Sequence, residues 1–219
     1  MASVILTFHG IGPSPQHVDE KEQCYWLELK QFEGVINIVR KKPHVALTFD
    51  DGNISDVEHA LPTLIQQGLT AIFFVCTGRL DHPTFLSREQ VRQLQGQGMR
   101  IGSHGISHRP WRGLPGDELA AELNESRIEL ENICGEPVLE AACPFGSYDR
   151  TVLRALHTAG YRKVYTSDGG WTSDLSYLKA RNTIRRSMSL EDVALLTQRK
   201  ARLLDQVSIR ARQVFKRLR

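Results

Sequence analysis

The chain has 219 residues, of which 41% are hydrophobic and 24% charged, with a formal charge of +3. That length suits one domain with a sizeable core. No apolar run approaches the roughly 20 residues of a membrane-spanning helix, so no such helix is expected.

Residues 3–8 read as a strand that runs into His9 and the breaker-rich Gly10-Ile11-Gly12-Pro13. A helix is expected over about 21–32, where Tyr25, Trp26, Leu29 and Phe32 recur near helical spacing. Residues 45–49 form a short apolar strand ending in Asp50-Asp51-Gly52, followed by a helix over 55–67 that stops at Gly68. The nearly continuous apolar run 70–76 reads as a strand covered on both faces. Ser87 and Gln90 cap a helix that ends near Gly96, and 99–103 is the next strand. A long helix over 116–133, a strand over 138–143, a helix over 150–159 and short strands at 163–166 and 180–184 complete the pattern.

Alternating strands and helices argue for βα units and a mostly parallel sheet. Neither GxGxxG nor GxxxxGK[ST] occurs, which argues against a nucleotide fold. In closed βα barrels the reactive groups gather at the C-terminal ends of strands. His9, Asp50, Asp51, His104 and Pro144-Phe145-Gly146 all follow expected strands.

His104 and His108, four apart, can converge on one ion, and Asp51 would add a carboxylate; catalytic zinc sites commonly use three such ligands and keep a position open. The plainer alternatives stay open here: HxxxH as a loop feature, and Asp-Asp-Gly as a turn or helix cap.

Thr48-Phe49-Asp50-Asp51-Gly52 followed by Ser103-His104-xxx-His108 resembles the first two motifs of the polysaccharide deacetylases, the family-four carbohydrate esterases related to chitooligosaccharide deacetylase. Ala142-Cys143-Pro144-Phe145-Gly146 is similar to their third motif. The resemblance covers about 45–171. It implies a distorted (β/α) barrel, an α/β fold with seven parallel strands expected, and removal of N-acetyl groups from an amino-sugar polysaccharide, oligosaccharide or glycolipid. It further implies Asp50 as general base, and Asp51, His104 and His108 as ligands to Zn2+ or another divalent transition metal such as Co2+ or Ni2+. Pro144 and Phe145 would sit at the substrate, the Phe145 backbone N–H serving the oxyanion, and Trp171 would wall the acetyl pocket.

Two departures stand out. The third motif usually opens with an arginine that orients the base, and Ala142 occupies that position; Arg109 and Arg181 are the candidate substitutes. The family's late histidine, the general acid, has no counterpart after His157, which leaves His9 and an ion-bound water as the candidate acids, His9 being the one to test. These departures keep two alternatives in view: a non-catalytic relative that binds glycan or metal, and a hydrolase of another C–N bond, such as a formyl or cyclic amide.

Residues 199–219 carry eight Lys or Arg against Asp205, a balance of +7, leaving −4 for the rest. The expected organisation is a barrel over 1–198 and a basic amphipathic C-terminal helix over 199–219. That helix would dock on the barrel or contact an anionic membrane surface; no nucleic-acid module accompanies it. The four scattered cysteines, Cys24, Cys76, Cys134 and Cys143, show no paired spacing and read as reduced thiols. With no secretory pattern at the N-terminus, the expected location is cytoplasmic.

Overall fold

The fold is built on strands whose alternate residues serve two different interiors. It is seen in a computed structural model, which describes residues 2–15, 18, 20, 22–198, 211, 213, 214 and 216. In chain order the elements are β1 (Ala2–Phe8), α1 (Leu29–Val39), β2 (Val45–Asp51), α2 (Leu61–Gln66), β3 (Ile72–Val75), α3 (Arg88–Gly96), β4 (Arg100–Ser103) and α4 (Gly116–Cys134). They continue with β5 (Glu140–Ala142), α5 (Arg150–Thr158), β6 (Lys163–Thr166), β7 (Trp171–Ser173), β8 (Leu178–Ala180), β9 (Asn182–Thr183) and α6 (Leu190–Leu196).

The sheet order is β7-β1-β2-β3-β4-β5-β6-β8, with β9 also paired to β1. All neighbours are parallel except β7, which runs antiparallel to β1. Consecutive β8 and β9 pair with β6 and β1 respectively, so the step through Arg181 nearly closes a barrel. Among the described residues the sheet contains the seven parallel strands expected, β1–β6 and β8, with antiparallel β7 and two-residue β9 added. Gly169 and Gly170, both at positive φ, turn the chain back into β7, a reversal that apolar periodicity does not register.

Side chains alternate across each strand. On the helix side, Phe49 stacks between Phe8 and Phe73 at 5.1 and 4.7 Å, and Phe32 of α1 meets Phe8 edge-on at 5.3 Å. On the barrel side, Ile5, Ile72, Phe74, Ala142 and Tyr165 form a separate buried cluster. Asp50 pairs with Phe74 across β2 and β3, so it faces this inner space one residue after Phe49 faces the helices. Gly102, next to Phe74 on β4, has to be glycine, because a Cβ there would lie 2.5 Å from the Phe74 ring.

The helix expected over 21–32 is broken. A 3-10 turn spans Gln23–Tyr25, Trp26 is extended (φ −86°, ψ 112°), and α1 begins only at Leu29. The Leu27 backbone is instead paired with the loop after β1: its N–H donates to the Gly10 carbonyl at 2.9 Å, and its carbonyl accepts from Gly12 at 2.8 Å. The helix expected over 55–67 is present but starts as a wide π turn, Asp56–Ala60. Short α6, opened by a Ser189 capping box, carries no expectation from the sequence. The amphipathic helix expected over 199–219 lies outside the described residues except at Ala211, Gln213, Val214 and Lys216, which are helical. Cys76, Cys134 and Cys143 are free thiols. No helix among the described residues is long and apolar enough to cross a membrane.

Candidate active site

The C-terminal ends of the parallel strands border a cleft of about 680 Å³. Its lining includes His9, Asp50, Asp51, His104, His108, Phe145, Asp168 and Arg181. Of the residues singled out from sequence, Pro144, Trp171 and Arg109 are not part of that wall. Pro144 is buried in the turn that carries Phe145. Trp171 pairs with Val4 near the N-terminal end of β1 and stacks on His44, ring centroids 5.5 Å apart. Val4 also pairs with Val45, six residues before Asp51, or about 20 Å along a strand. Trp171 therefore sits toward the far end of the barrel and walls no acetyl pocket. Arg109 is committed to Glu118 at 2.7 Å and Glu122 at 3.3 Å. It is not the arginine on Asp50.

That arginine is Arg181. Its Nη1 donates to Asp50 Oδ1 at 2.6 Å and its Nη2 to Oδ2 at 2.7 Å, a two-pronged ion pair with both side chains almost fully buried. The guanidinium lies over Phe74 and Tyr165 at 5.3 and 5.9 Å, in the inner space where Ala142 leaves room. Burial alone would raise the Asp50 pKa; Arg181, helped by His104, overrides it and holds the carboxyl below its ordinary range. Asp50 is thus ionised at neutral pH.

Asp51, His104 and His108 each offer an atom within 4.8 Å of the others. Asp51 Oδ1 lies 3.5 Å from His104 Nε2 and 3.0 Å from His108 Nε2, and it is buried with no hydrogen-bond partner among the described residues. Donors about 2.1 Å from one tetrahedral ion stand about 3.4 Å apart, so these spacings fit a shared ion. His104 is oriented for it: Nδ1 faces the Ala142 carbonyl at 2.9 Å and donates to it, which leaves the Nε2 lone pair toward Asp51. Burial, outweighing the attraction of Asp50 and Asp51, lowers the His104 pKa to about 4, so the ring is neutral at pH 7. His108 Nε2 is in reach, but its Nδ1 faces the Arg79 guanidinium at 2.9 Å, and Arg79 also lies 3.9 Å from Asp51. With Nε2 on an ion, Nδ1 carries the proton and Arg79 has to give up that contact.

The site is held in an uncommon backbone conformation. Only four non-glycine residues among those described have positive φ, and three of them are Asp51 (80°), His108 (52°) and Phe145 (58°). Such residues cost about 1–3 kcal/mol each and persist where neighbours hold them. One neighbour is Glu122 of α4, which accepts from the N–H groups of Ile106 (2.7 Å) and Ser107 (3.3 Å) and from the Ser107 hydroxyl, bracing the loop between the two histidines. Gly105 fits there because a Cβ would lie 2.5 Å from Glu122 Oε2.

Glu122, Arg79 and Asp168 escaped the sequence reading. Arg79 follows β3 and could have been found by its strand-end position. Glu122 could not: it lies inside a helix, far in sequence from the loop it braces. Asp56 was also passed over; it is fully buried, neither carboxylate oxygen has a hydrogen-bond partner among the described residues, and burial followed by the charges of Asp51 and Asp50 pushes its pKa well above the usual range.

The His104 shift carries a pH dependence. Its folded pKa of about 4 lies below the unfolded value of 6.5, so between them the unfolded chain binds more protons. In the ion-free protein this contribution is complete above pH 6.5, and roughly 3 kcal/mol is lost as pH falls to 4. The lowered pKa values of Asp50 and Asp51 act in the same direction at still lower pH. Urea unfolding of the chelator-treated protein is expected to show a midpoint falling steadily from pH 6.5 to 4; a flat midpoint would contradict the burial of neutral His104.

The fold and site together define a (β/α) barrel with a paired carboxylate and two histidines at the strand ends. The family model for polysaccharide deacetylase matches residues 37–164, more than half the chain, and the chain belongs to that family. YxkH of Bacillus subtilis, itself named for the polysaccharide deacetylases, is 28% identical over 157 residues, covering 70% of this chain and 56% of YxkH. A chitin deacetylase of Pestalotiopsis is 27% identical over 119 residues, covering 54% of this chain and 40% of that protein. The chain thus spans about half the length of these relatives. The deacetylase PplD of Streptococcus pyogenes, solved with acetate, superposes with a TM-score of 0.79 at 20% identity, covering 90% of this chain and 99% of PplD. IcaB of Ammonifex degensii gives 0.75 at 21% identity, over 90% and 97%. These superpositions establish the shared barrel.

Proposed function

We propose that this protein hydrolyses the N-acetyl group of an amino sugar in a polysaccharide, oligosaccharide or glycolipid, using a divalent transition ion held by Asp51, His104 and His108. The observation that carries this reading is the convergence of those three donors beside Asp50, whose Oδ2 lies 3.9 Å from His104 Nε2, at the floor of an open cleft. The ion, when bound, polarises the acetyl oxygen and acidifies water, both of which a poorly electrophilic amide needs.

The chain's own groups supply the rest. Asp50, kept ionised and fixed by Arg181, takes the proton from the attacking water. The backbone N–H of Phe145 donates to the oxygen that becomes negative as the carbonyl carbon turns tetrahedral. His9, stacked on Tyr25 at 5.0 Å with its Nδ1 unpartnered among the described residues, gives a proton to the nitrogen as the C–N bond breaks. Acetate and a free amine leave. Exposed Phe145, whose ring lies 4.6 Å from that of His108, offers an apolar face to the sugar.

The test is acetate release from N-acetylated chitooligosaccharides by protein loaded with Zn2+, Co2+ or Ni2+, with formyl and cyclic amides alongside. Release is expected to stop with chelator and return with the ion. An ion-loaded protein that cleaves none of these would be a non-catalytic relative, and release of formate or ring opening without acetate would move the activity to another C–N bond.

A further inference from the structure

Lys216, one of the few described residues after 198, reaches the wall of the cleft at Asp168. Lys216 Nζ lies 2.7 Å from Asp168 Oδ1 and 3.0 Å from the Gly146 carbonyl oxygen, with the Tyr148 ring beneath it at 5.0 Å. An exposed ion pair would contribute little, but the Asp168 side chain is fully shielded from solvent. Its other oxygen accepts from the hydroxyls of Tyr148 at 2.7 Å and Thr166 at 2.8 Å. Removing a cation from a buried, hydrogen-bonded carboxylate disturbs everything that carboxylate organises.

What it organises is the turn Pro144–Gly146. The Gly146 N–H closes the turn on the Cys143 carbonyl at 2.9 Å, while its own carbonyl is taken by Lys216. On its other side the turn abuts Ser167, the neighbour of Asp168: a Cβ at Gly146 would lie 2.9 Å from the Ser167 Cβ. Between Pro144 and Gly146 sits Phe145 at φ 58°, a conformation a non-glycine residue keeps only when its surroundings impose it.

We propose that Lys216 is a positioning residue of the active site: by joining Asp168 to the Gly146 carbonyl, it holds the Pro144–Gly146 turn and so aims the Phe145 N–H at the acetyl oxygen. The basic tail thereby carries, at this position, a part of the site itself. The positioning half stands on the contacts above; the catalytic half rests on the proposed deacetylase reading.

Lys216→Met and Asp168→Asn, each in the 219-residue chain, test both halves. Amide exchange over residues 144–148 is expected to quicken at least about fivefold in each variant. On an N-acetylated chitooligosaccharide kcat is expected to fall about tenfold, with KM within about twofold, because the lost alignment acts on the transition state. Unchanged exchange in Lys216→Met overturns the strap whether or not the protein releases acetate. Faster exchange with unchanged kcat, in a parent that is active, overturns the positioning role. A parent that releases no acetate defeats the deacetylase reading instead, and the exchange rates still decide the strap.

Discussion

Asp50→Asn is expected to lower kcat by about 10²–10⁴ while leaving the fold and the bound ion in place. The substitution removes the basic oxygen and also the charge that pairs with Arg181: the Asn side-chain carbonyl can still accept one of the two bonds that Arg181 now donates at 2.6 and 2.7 Å, so some stability is lost along with the activity. The three candidate ion donors, Asp51, His104 and His108, are unaltered. Acetate release on a saturating N-acetylated substrate, measured beside the parent at equal ion content, gives the result. Equal rates in the two proteins would remove Asp50 from the chemistry. A loss appearing only in KM would make it a binding group.

Arg181→Met is expected to act on stability and on pH together. The arginine is buried against Asp50, and removing one partner of a buried pair leaves an uncompensated charge at a cost of about 3–5 kcal/mol. Burial, the largest influence on Asp50, raises its pKa, and Arg181 is the chief opposing charge. Without it the Asp50 pKa rises. A base works only when deprotonated, so activity is lost as pH falls through its pKa, and the acid limb of the pH profile moves to higher pH by the same amount. Arg109→Met, lying among Glu118 and Glu122, is expected to leave that limb in place. Chemical denaturation and kcat/KM from pH 4 to 9 measure both effects. If the Arg181 variant kept the parent's acid limb, Asp50 would not be the group that sets it.

The contrast between these two arginines shows where sequence stops being informative. Both could be flagged, since Ala142 leaves the base without its usual partner. Choosing between them requires knowing that β8 and β9 pair with opposite ends of the sheet order, which turns Arg181 into the barrel beside Phe74 and Tyr165. The strand ending in Asp50-Asp51 and the HxxxH spacing were legible because each is a local pattern whose chemistry depends on adjacent residues. Trp171 was misplaced for the opposite reason: its position follows from two glycines that reverse the chain into an antiparallel strand. Periodicity likewise suggested a helix through Trp26, where the backbone of Leu27 is instead paired with the loop after β1. Glu122 and Lys216 carry no local signal, because what matters about each is the loop it reaches.

The central claim is a division of labour between neighbouring carboxylates, Asp51 holding the ion and Asp50 acting as base. Its most direct test is the ion content per chain of Asp51→Ala and Asp50→Asn after loading with Zn2+ and removal of excess. The account predicts close to one equivalent in Asp50→Asn and almost none in Asp51→Ala. A full equivalent retained by Asp51→Ala, or its loss from Asp50→Asn, would contradict it.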